Sequence, residues 1–228
     1  MRLEPPRWWY GSRPSDRLTA ALLAPAAWAY GAAADARFAL ATPYRSTLPV
    51  ICVGNFTAGG AGKTPLALEI AGIIRALGGK PAFLTRGFGG KVEGPHWVKS
   101  DADTAADVGD EALLLARAAP TVVARNRLQG ARAIEASGAG AIIMDDGFQN
   151  PSLVKDLALV VVDAGAGIGN GRVLPAGPLR APLASQMQRA GAVIWIGDDE
   201  TAFGGLPEDV PILRARIVPA DDAAWLRF

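Results

Sequence analysis

The chain has 228 residues, 50% hydrophobic and 20% charged, a balance too apolar for disorder and long enough for one α/β domain with a substantial core. With 23 basic and 22 acidic side chains the formal charge is +1, which excludes nucleic-acid binding through bulk electrostatics. A single cysteine (Cys52) and a single histidine (His96) exclude an internal disulfide and any metal site built from cysteine or clustered histidine, and leave carboxylates as the candidate proton acceptors.

Residues 1–47 differ from the rest. They hold seven of the 16 aromatic residues (Trp8, Trp9, Tyr10, Trp28, Tyr30, Phe38 and Tyr44) and six arginines against three acids, Glu4, Asp16 and Asp35. An alanine- and leucine-rich segment between Arg17 and Asp35, broken by Pro25, is short and weakly hydrophobic for a membrane-spanning helix. An amphipathic segment lying in a membrane interface fits it, with rings at headgroup depth and arginines toward anionic lipid. An ordinary helix packed on the domain fits it too. Ala27-Trp28-Ala29 imitates a signal-peptide cleavage site, but the triphosphate-binding loop that follows belongs in the cytosol.

The stretch Val53-Gly-Asn-Phe-Thr-Ala-Gly-Gly-Ala-Gly-Lys-Thr-Pro65 follows a short apolar run, Pro49 to Val53. It precedes helical spacing of Leu66, Ile70, Ile73, Ile74 and Leu77, which ends at Gly78-Gly79. Strand, glycine loop and helix in that order form a phosphate-binding loop. Backbone N–H groups across Thr57, Gly59, Gly60, Ala61 and Gly62 can turn onto phosphate oxygens, helped by the helix N-terminus. Lys63 is placed for the β- and γ-phosphates and the Thr64 hydroxyl for Mg²⁺, so the expected ligands are ATP and Mg²⁺. Pro65 suits a first helical turn, where its missing N–H has no partner to lose. The usual pattern has glycine where this chain has Thr57; a glycine-rich turn with an incidental lysine is the bland alternative.

Apolar runs and helical patterns then alternate. Pro81–Thr85 reads as a strand running into Arg86-Gly-Phe-Gly-Gly-Lys91, and 92–108 as a polar, turn-rich excursion over the active face. Residues 109–115 open a helix, 120–124 a strand, and 127–136 a helix. The runs at 141–144, 157–162 and 192–196 read as strands buried on both faces. The pattern predicts an α/β fold of three αβα layers around a mostly parallel sheet, with its chemistry at the carboxyl ends of the strands. The expected division is an N-terminal membrane-associating segment (1–47), a phosphate-loop domain (48–200) and a linker or the start of a further domain (201–228).

Asp145 and Asp146 end the 141–144 run, where phosphate-loop proteins hold Mg²⁺, though aspartates there also cap helices. Asp163 ends the next strand and fits a metal role or a turn equally. Asp110 and Glu111 begin a helix: acids there complement the helix dipole, or Asp110 takes a proton from an attacking hydroxyl. The run 165–180 is too ordered for a linker and ends in Arg180, placed to neutralise charge on a transferring phosphoryl group. Arg86, Lys91, Arg125 and Arg127 also follow strands; most are expected to be solvated, with Arg86 the one favoured for phosphate contact.

The segments GNFTAGGAGKTP (54–65), TRGFGGK (85–91), GDE (109–111), DDGFQN (145–150) and GNGRVLPAGPLR (169–180) resemble, in order and spacing, the tetraacyldisaccharide 4′-kinase family of Gram-negative bacteria. The resemblance covers the chain to about Ile196. It implies ATP- and Mg²⁺-dependent phosphorylation of the 4′-hydroxyl of a membrane-embedded acylated glucosamine disaccharide 1-phosphate, at the cytoplasmic face of the inner membrane. It further implies that Lys63 and Thr64 serve phosphates and metal, and that Asp110 is the base. Glu111, Asp145 and Asp146 then organise the metal, and Arg180 stabilises transferred charge. Three departures stand out: Asn150 where the family commonly has histidine, Ala181 where many members have glutamate, and a sequence that stops at Phe228, where a smaller C-terminal domain is expected. That domain supplies a histidine partnering the catalytic aspartate, and His96 matches no such position, so nucleotide binding with weakened turnover is a third reading of the chain. A membrane-associated ATPase switch of the deviant phosphate-loop type is the alternative enzyme; Ala58 stands where that class carries its signature lysine.

Overall fold

The computed structural model describes residues 4–59, 62–199 and 210–218. Its centre is an eight-stranded sheet with strands β1 (Val50–Asn55), β2 (Pro81–Thr85), β3 (His96–Trp97), β4 (Thr121–Val123), β5 (Ala141–Asp145), β6 (Leu157–Asp163), β7 (Ala192–Ile196) and β8 (Ile212–Ala215). The order is β3-β4-β2-β5-β1-β6-β7-β8, parallel throughout except for β3, which runs antiparallel to β4 at one edge.

The apolar runs form strands because both faces are covered. Val50, Cys52, Ile142, Met144, Val160, Val162, Val193 and Trp195 face one layer, while Val53, Phe83, Ile143, Val161 and Ile194 face the other. Alternate residues of one strand thus enter opposite cores, so neither face of the pleat tolerates a polar run. Helices α3 (Lys63–Ala76) and α5 (Asp110–Ala116) cover the second face through Ala67, Ile70, Ala71 and Leu115. Helices α6 (Arg127–Glu135) and α7 (Leu183–Met187) cover the first through Ala131, Ile134 and Met187. Cys52 is fully buried, and its thiol is pushed up to about 12, first by burial, so it acts as a small hydrophobe.

The N-terminal segment folds as a 3-10 turn (Arg7–Trp9), helix α1 (Pro14–Leu22) and helix α2 (Ala24–Ala39). Pro25 sits in the first turn of α2 rather than within a continuous helix, so the proline starts a second helix at the point where the sequence reading placed a break. This segment rests on the glycine-rich run. The indole N–H groups of Trp8 and Trp9 both donate to Pro175 O at 3.2 Å, and Asn170 donates back to Trp8 O and Trp9 O. On α2, Asp35 accepts from Ser185 Oγ at 2.6 Å, and the Arg189 guanidinium lies 4.0 Å from the Phe38 ring centre. Leu18, Leu22, Trp28 and Leu40 nevertheless point outward and are 63–84% exposed. No helix among the described residues is long and apolar enough to cross a membrane.

Two segments differ from the sequence reading. The excursion 92–108 contains β3 and the short helix α4 (Ala105–Val108), and Val98 N–H donates to Thr121 O to extend the edge pairing. Within the segment expected as a linker or the start of a further domain, β8 pairs with β7 from Val193↔Ile212 to Ile196↔Ala215. Both are edge strands of only two and four residues, too short to show the continuous apolar run that marks a central strand.

Candidate active site

The strand order places β1 between β5 and β6. The connection leaving β1 runs to one side of the sheet and the one leaving β5 runs to the other, so a crevice opens at their carboxyl ends. The glycine loop leaves β1 at that crevice and enters α3 at Lys63. Gly62 caps the helix with φ of 92°; a Cβ there would lie 2.5 Å from Ile196 Cδ1 as well as suffer the left-handed backbone, so the position is closed to other residues. Gly59 also has positive φ, and its carbonyl accepts from Lys63 Nζ at 3.4 Å. Gly60 and Ala61 lie outside the described residues. Thr64 is the second residue of α3, beside Lys63.

Opposite the loop stand the two aspartates. Asp146, with φ of 49°, turns the chain out of β5 and receives both cations: Lys63 Nζ at 3.8 Å and Arg180 NH1 at 3.3 Å on the same Oδ1. Arg180 Nε donates to Thr57 O at 3.0 Å, and Ala58 N–H to Pro178 O at 2.8 Å. The arginine segment is thereby zipped to the start of the phosphate loop at Thr57, the position where glycine is usual.

Asp145 is 1% exposed and neither of its carboxylate oxygens has a hydrogen-bond partner. Its carboxyl is raised to about 7, first by burial, then by the negative charges of Glu111 and Asp146, against the pull of Lys63. An orphaned buried carboxylate beside two further acids and one ammonium is the environment a hard divalent cation relieves. Among the described residues no three His, Cys, Asp or Glu form a cage. Mg²⁺ takes one or two carboxylates and fills its remaining positions with phosphate and water, a demand that Asp145 and Asp146 could meet.

Asp110 and Glu111 open α5. Asp110 is exposed, and its Oδ1 accepts from the Glu111 N–H at 3.0 Å. The preceding Gly109 has φ of 88°, and a Cβ there would stand 2.4 Å from Phe88 O, so the TRGFGGK loop is laid directly on the GDE turn. Asp163 is a turn residue, its Oδ1 accepting from Gly165 N–H and Ala166 N–H. His96 sits on the edge strand, bonded to Asp103 at 2.8 Å. Asn150 organises its own loop by accepting from the Ser152 N–H and hydroxyl.

Sequence reasoning missed three residues. Arg127, grouped with the solvated arginines, is 3% exposed; its NH1 donates to Ala124 O and its Nε has no partner. Burial, then repulsion from Arg86, lowers its guanidinium to about 10, against the pull of Asp146 and other negative charges. Its position at the start of α6, four residues beyond the end of β4, was the available signal. Gln149 and Gln186 complete the network around Arg180. Gln149 lies in the DDGFQN segment, whereas Gln186, a lone amide in a five-residue helix, carried no signal.

A parallel sheet whose central strand feeds a glycine loop, a helix-opening lysine and a pair of strand-tip aspartates defines the phosphate-loop nucleotide-binding class. Within it, the chain belongs to the tetraacyldisaccharide 4′-kinase family: the family model described as LpxK, tetraacyldisaccharide-1-P 4′-kinase, matches residues 19–225. The tetraacyldisaccharide 4′-kinase of Methylobacterium sp. (strain 4-46) is 54% identical over 231 residues, spanning 97% of this chain and 68% of that protein. That of Rhodospirillum centenum (strain ATCC 51521 / SW) is 49% identical over 97% of this chain and 66% of its own length. The "apo" form of LpxK from Aquifex aeolicus, crystallised in complex with ATP, superposes with a TM-score of 0.73 at 26% identity, over 86% of this chain and 64% of that one. The chain thus spans about two thirds of the length of the relatives it matches.

Proposed function

We propose that the chain transfers the γ-phosphoryl group of ATP to the 4′-hydroxyl of a tetraacyldisaccharide 1-phosphate at a membrane surface. The observation that carries the reading is the convergence of Lys63, Arg180 and Asp146 on the phosphate loop, in a chain of this family. Lys63 and the loop amides grip the β- and γ-phosphates, with Arg180 reaching the same side. Thr64, Asp145 and Asp146 would hold Mg²⁺, with Glu111 supporting its waters, and the ion would supply charge neutralisation for the phosphoryl group. Asp110, free at the mouth of the site, takes the proton of the acceptor hydroxyl as the new O–P bond forms and the bond to the β-phosphate oxygen breaks, releasing ADP. Most of the acceleration then comes from positioning and preorganised charge.

The apolar outer faces of α1 and α2 lie against the bilayer, with Leu18, Leu22 and Trp28 in the interface, at the cytoplasmic face of the inner membrane. The packing of the 3-10 turn and α2 on 165–189 supports one rigid unit of anchor and catalytic loop.

The test is incubation with radiolabelled ATP, Mg²⁺ and the tetraacyldisaccharide 1-phosphate in mixed micelles. Label on the lipid, lost in Lys63→Ala, supports the assignment. Lipid-stimulated release of free phosphate without labelled lipid indicates an ATPase switch instead.

A further inference from the structure

Gln186 is fully buried, and every hydrogen-bond contact of its side chain leads to Arg180 or to a neighbour of Arg180. Its Nε2 donates to Ala181 O at 2.8 Å and to Phe56 O at 3.3 Å, and its Oε1 accepts from Gln149 Nε2 at 3.2 Å. Phe56 O is also the acceptor for the Arg180 N–H, at 2.9 Å. Gln149 in turn donates to Asn55 O at 2.7 Å and accepts from Arg180 NH1 at 3.3 Å. One amide thus holds the residue after the arginine, the carbonyl just past β1 that anchors the arginine's own backbone, and the side chain that meets its guanidinium.

We infer that Gln186 is a positioning residue for phosphoryl transfer, fixing Gln149 so that its oxygen, and not its nitrogen, faces Arg180. An amide side chain can present either atom, and only its partners decide which. The two acceptors on Gln149 Nε2, Asn55 O and Gln186 Oε1, force the oxygen toward the arginine. With the second acceptor gone, one bond remains and the amide can turn. Arg180 then meets a donor, and its fork swings away from Asp146 and Thr57. The frame that carries Gln186 is itself stiff, because Ser185 and Arg189 on either side are fastened to Asp35 and Phe38 of α2. A buried, fully partnered amide of this kind fixes geometry more than it adds stability.

This inference rests on the proposed role of Arg180 in charge stabilisation, and two measurements separate the two ideas. The first reads the Arg180 Nε–H directly by ¹⁵N NMR, assigned through its loss in Arg180→Lys. In the wild type it donates to Thr57 O, and slow exchange is the expected result. In Gln186→Met it is expected to move to the position of a solvated arginine and to exchange at least about tenfold faster; an unchanged signal overturns the inference. The second is kinetic. Gln186→Met is expected to lower kcat about 10- to 100-fold with KM for ATP within about threefold, and Arg180→Ala/Gln186→Met to be no slower than Arg180→Ala alone. Losses that multiply mean a general structural role and overturn it. A changed Arg180 signal in a protein that transfers no phosphate counts for the positioning and against the kinase reading. Should Gln186→Met fail to fold, Gln149→Met breaks the same link from the other end, and an unaltered Arg180 signal in that folded variant is equally fatal.

Discussion

Arg180 and Asp146, 34 residues apart, meet at 3.3 Å across the mouth of the phosphate loop, and Lys63 shares the same carboxylate oxygen at 3.8 Å. Both cations are therefore held by an internal anion. Under the proposed roles, nucleotide takes them over, which would place Asp146 in competition with phosphate for Lys63 and Arg180 and free it for a metal once they leave.

Asp146→Asn separates these two effects. In EDTA the variant is expected to bind ATP about three- to tenfold more tightly than the wild type, because a competing charge is gone. With Mg²⁺ present, transfer is expected to fall by about 100-fold or more. Titration with a fluorescent ATP analogue, with and without Mg²⁺, reads the first; equal affinities in EDTA would remove Asp146 from the competition.

Asp110→Asn keeps the shape of the helix start and the bond from Glu111 N–H while removing the proton acceptor. We expect kcat to drop by about 10²- to 10⁴-fold and the nucleotide dissociation constant to stay within about threefold. Parallel losses in rate and nucleotide affinity would assign Asp110 to folding of the GDE turn instead.

Removal of the whole N-terminal segment is a poor test of membrane attachment, since Trp8, Trp9 and Asp35 are bonded into the 165–189 region. Leu18→Glu, Leu22→Glu and Trp28→Glu act only on side chains 63%, 74% and 77% exposed. The triple variant is expected to leave the melting temperature within a few degrees and to lose most of its sedimentation with anionic vesicles, about 1 kcal/mol or more per buried apolar side chain. Undiminished sedimentation would rule out this face as the anchor.

Glu135 gathers three donors at the entrance to β1: Ser46 Oγ at 2.5 Å, Thr47 N–H at 2.9 Å and Tyr44 OH at 2.9 Å. Burial opposes its charge, but these bonds outweigh it and hold the carboxyl below its usual value. A carboxyl depressed in the folded state adds stability above its unfolded pKa of about 4.3, and that stability is lost as pH falls through the folded value. Glu135→Gln should therefore lower the urea midpoint at pH 6 and narrow the gap to the wild type below about pH 4. A gap that stays constant from pH 6 to 3 would show that the charge is immaterial there.

The sequence alone was sufficient for the parts that chemistry writes locally. Runs such as Ile142 to Met144 and Leu157 to Val162 had to be strands covered on both sides. The positive-φ turn at Gly62, the lysine at the helix start and the aspartates at a strand tip all follow from bonds within a few residues. The order of strands is not local, and it is what puts the end of β5 beside the end of β1 and brings Arg180 from a distant loop onto Thr57 and Asp146. Burial of Arg127, the pairing of the short edges β3 and β8, the seat of Trp8 and Trp9 on Pro175, and the grip of Gln186 were likewise settled only by the tertiary structure. Each depends on which surfaces the assembled sheet leaves in contact, and residue spacing encodes the face of an element but not its neighbour.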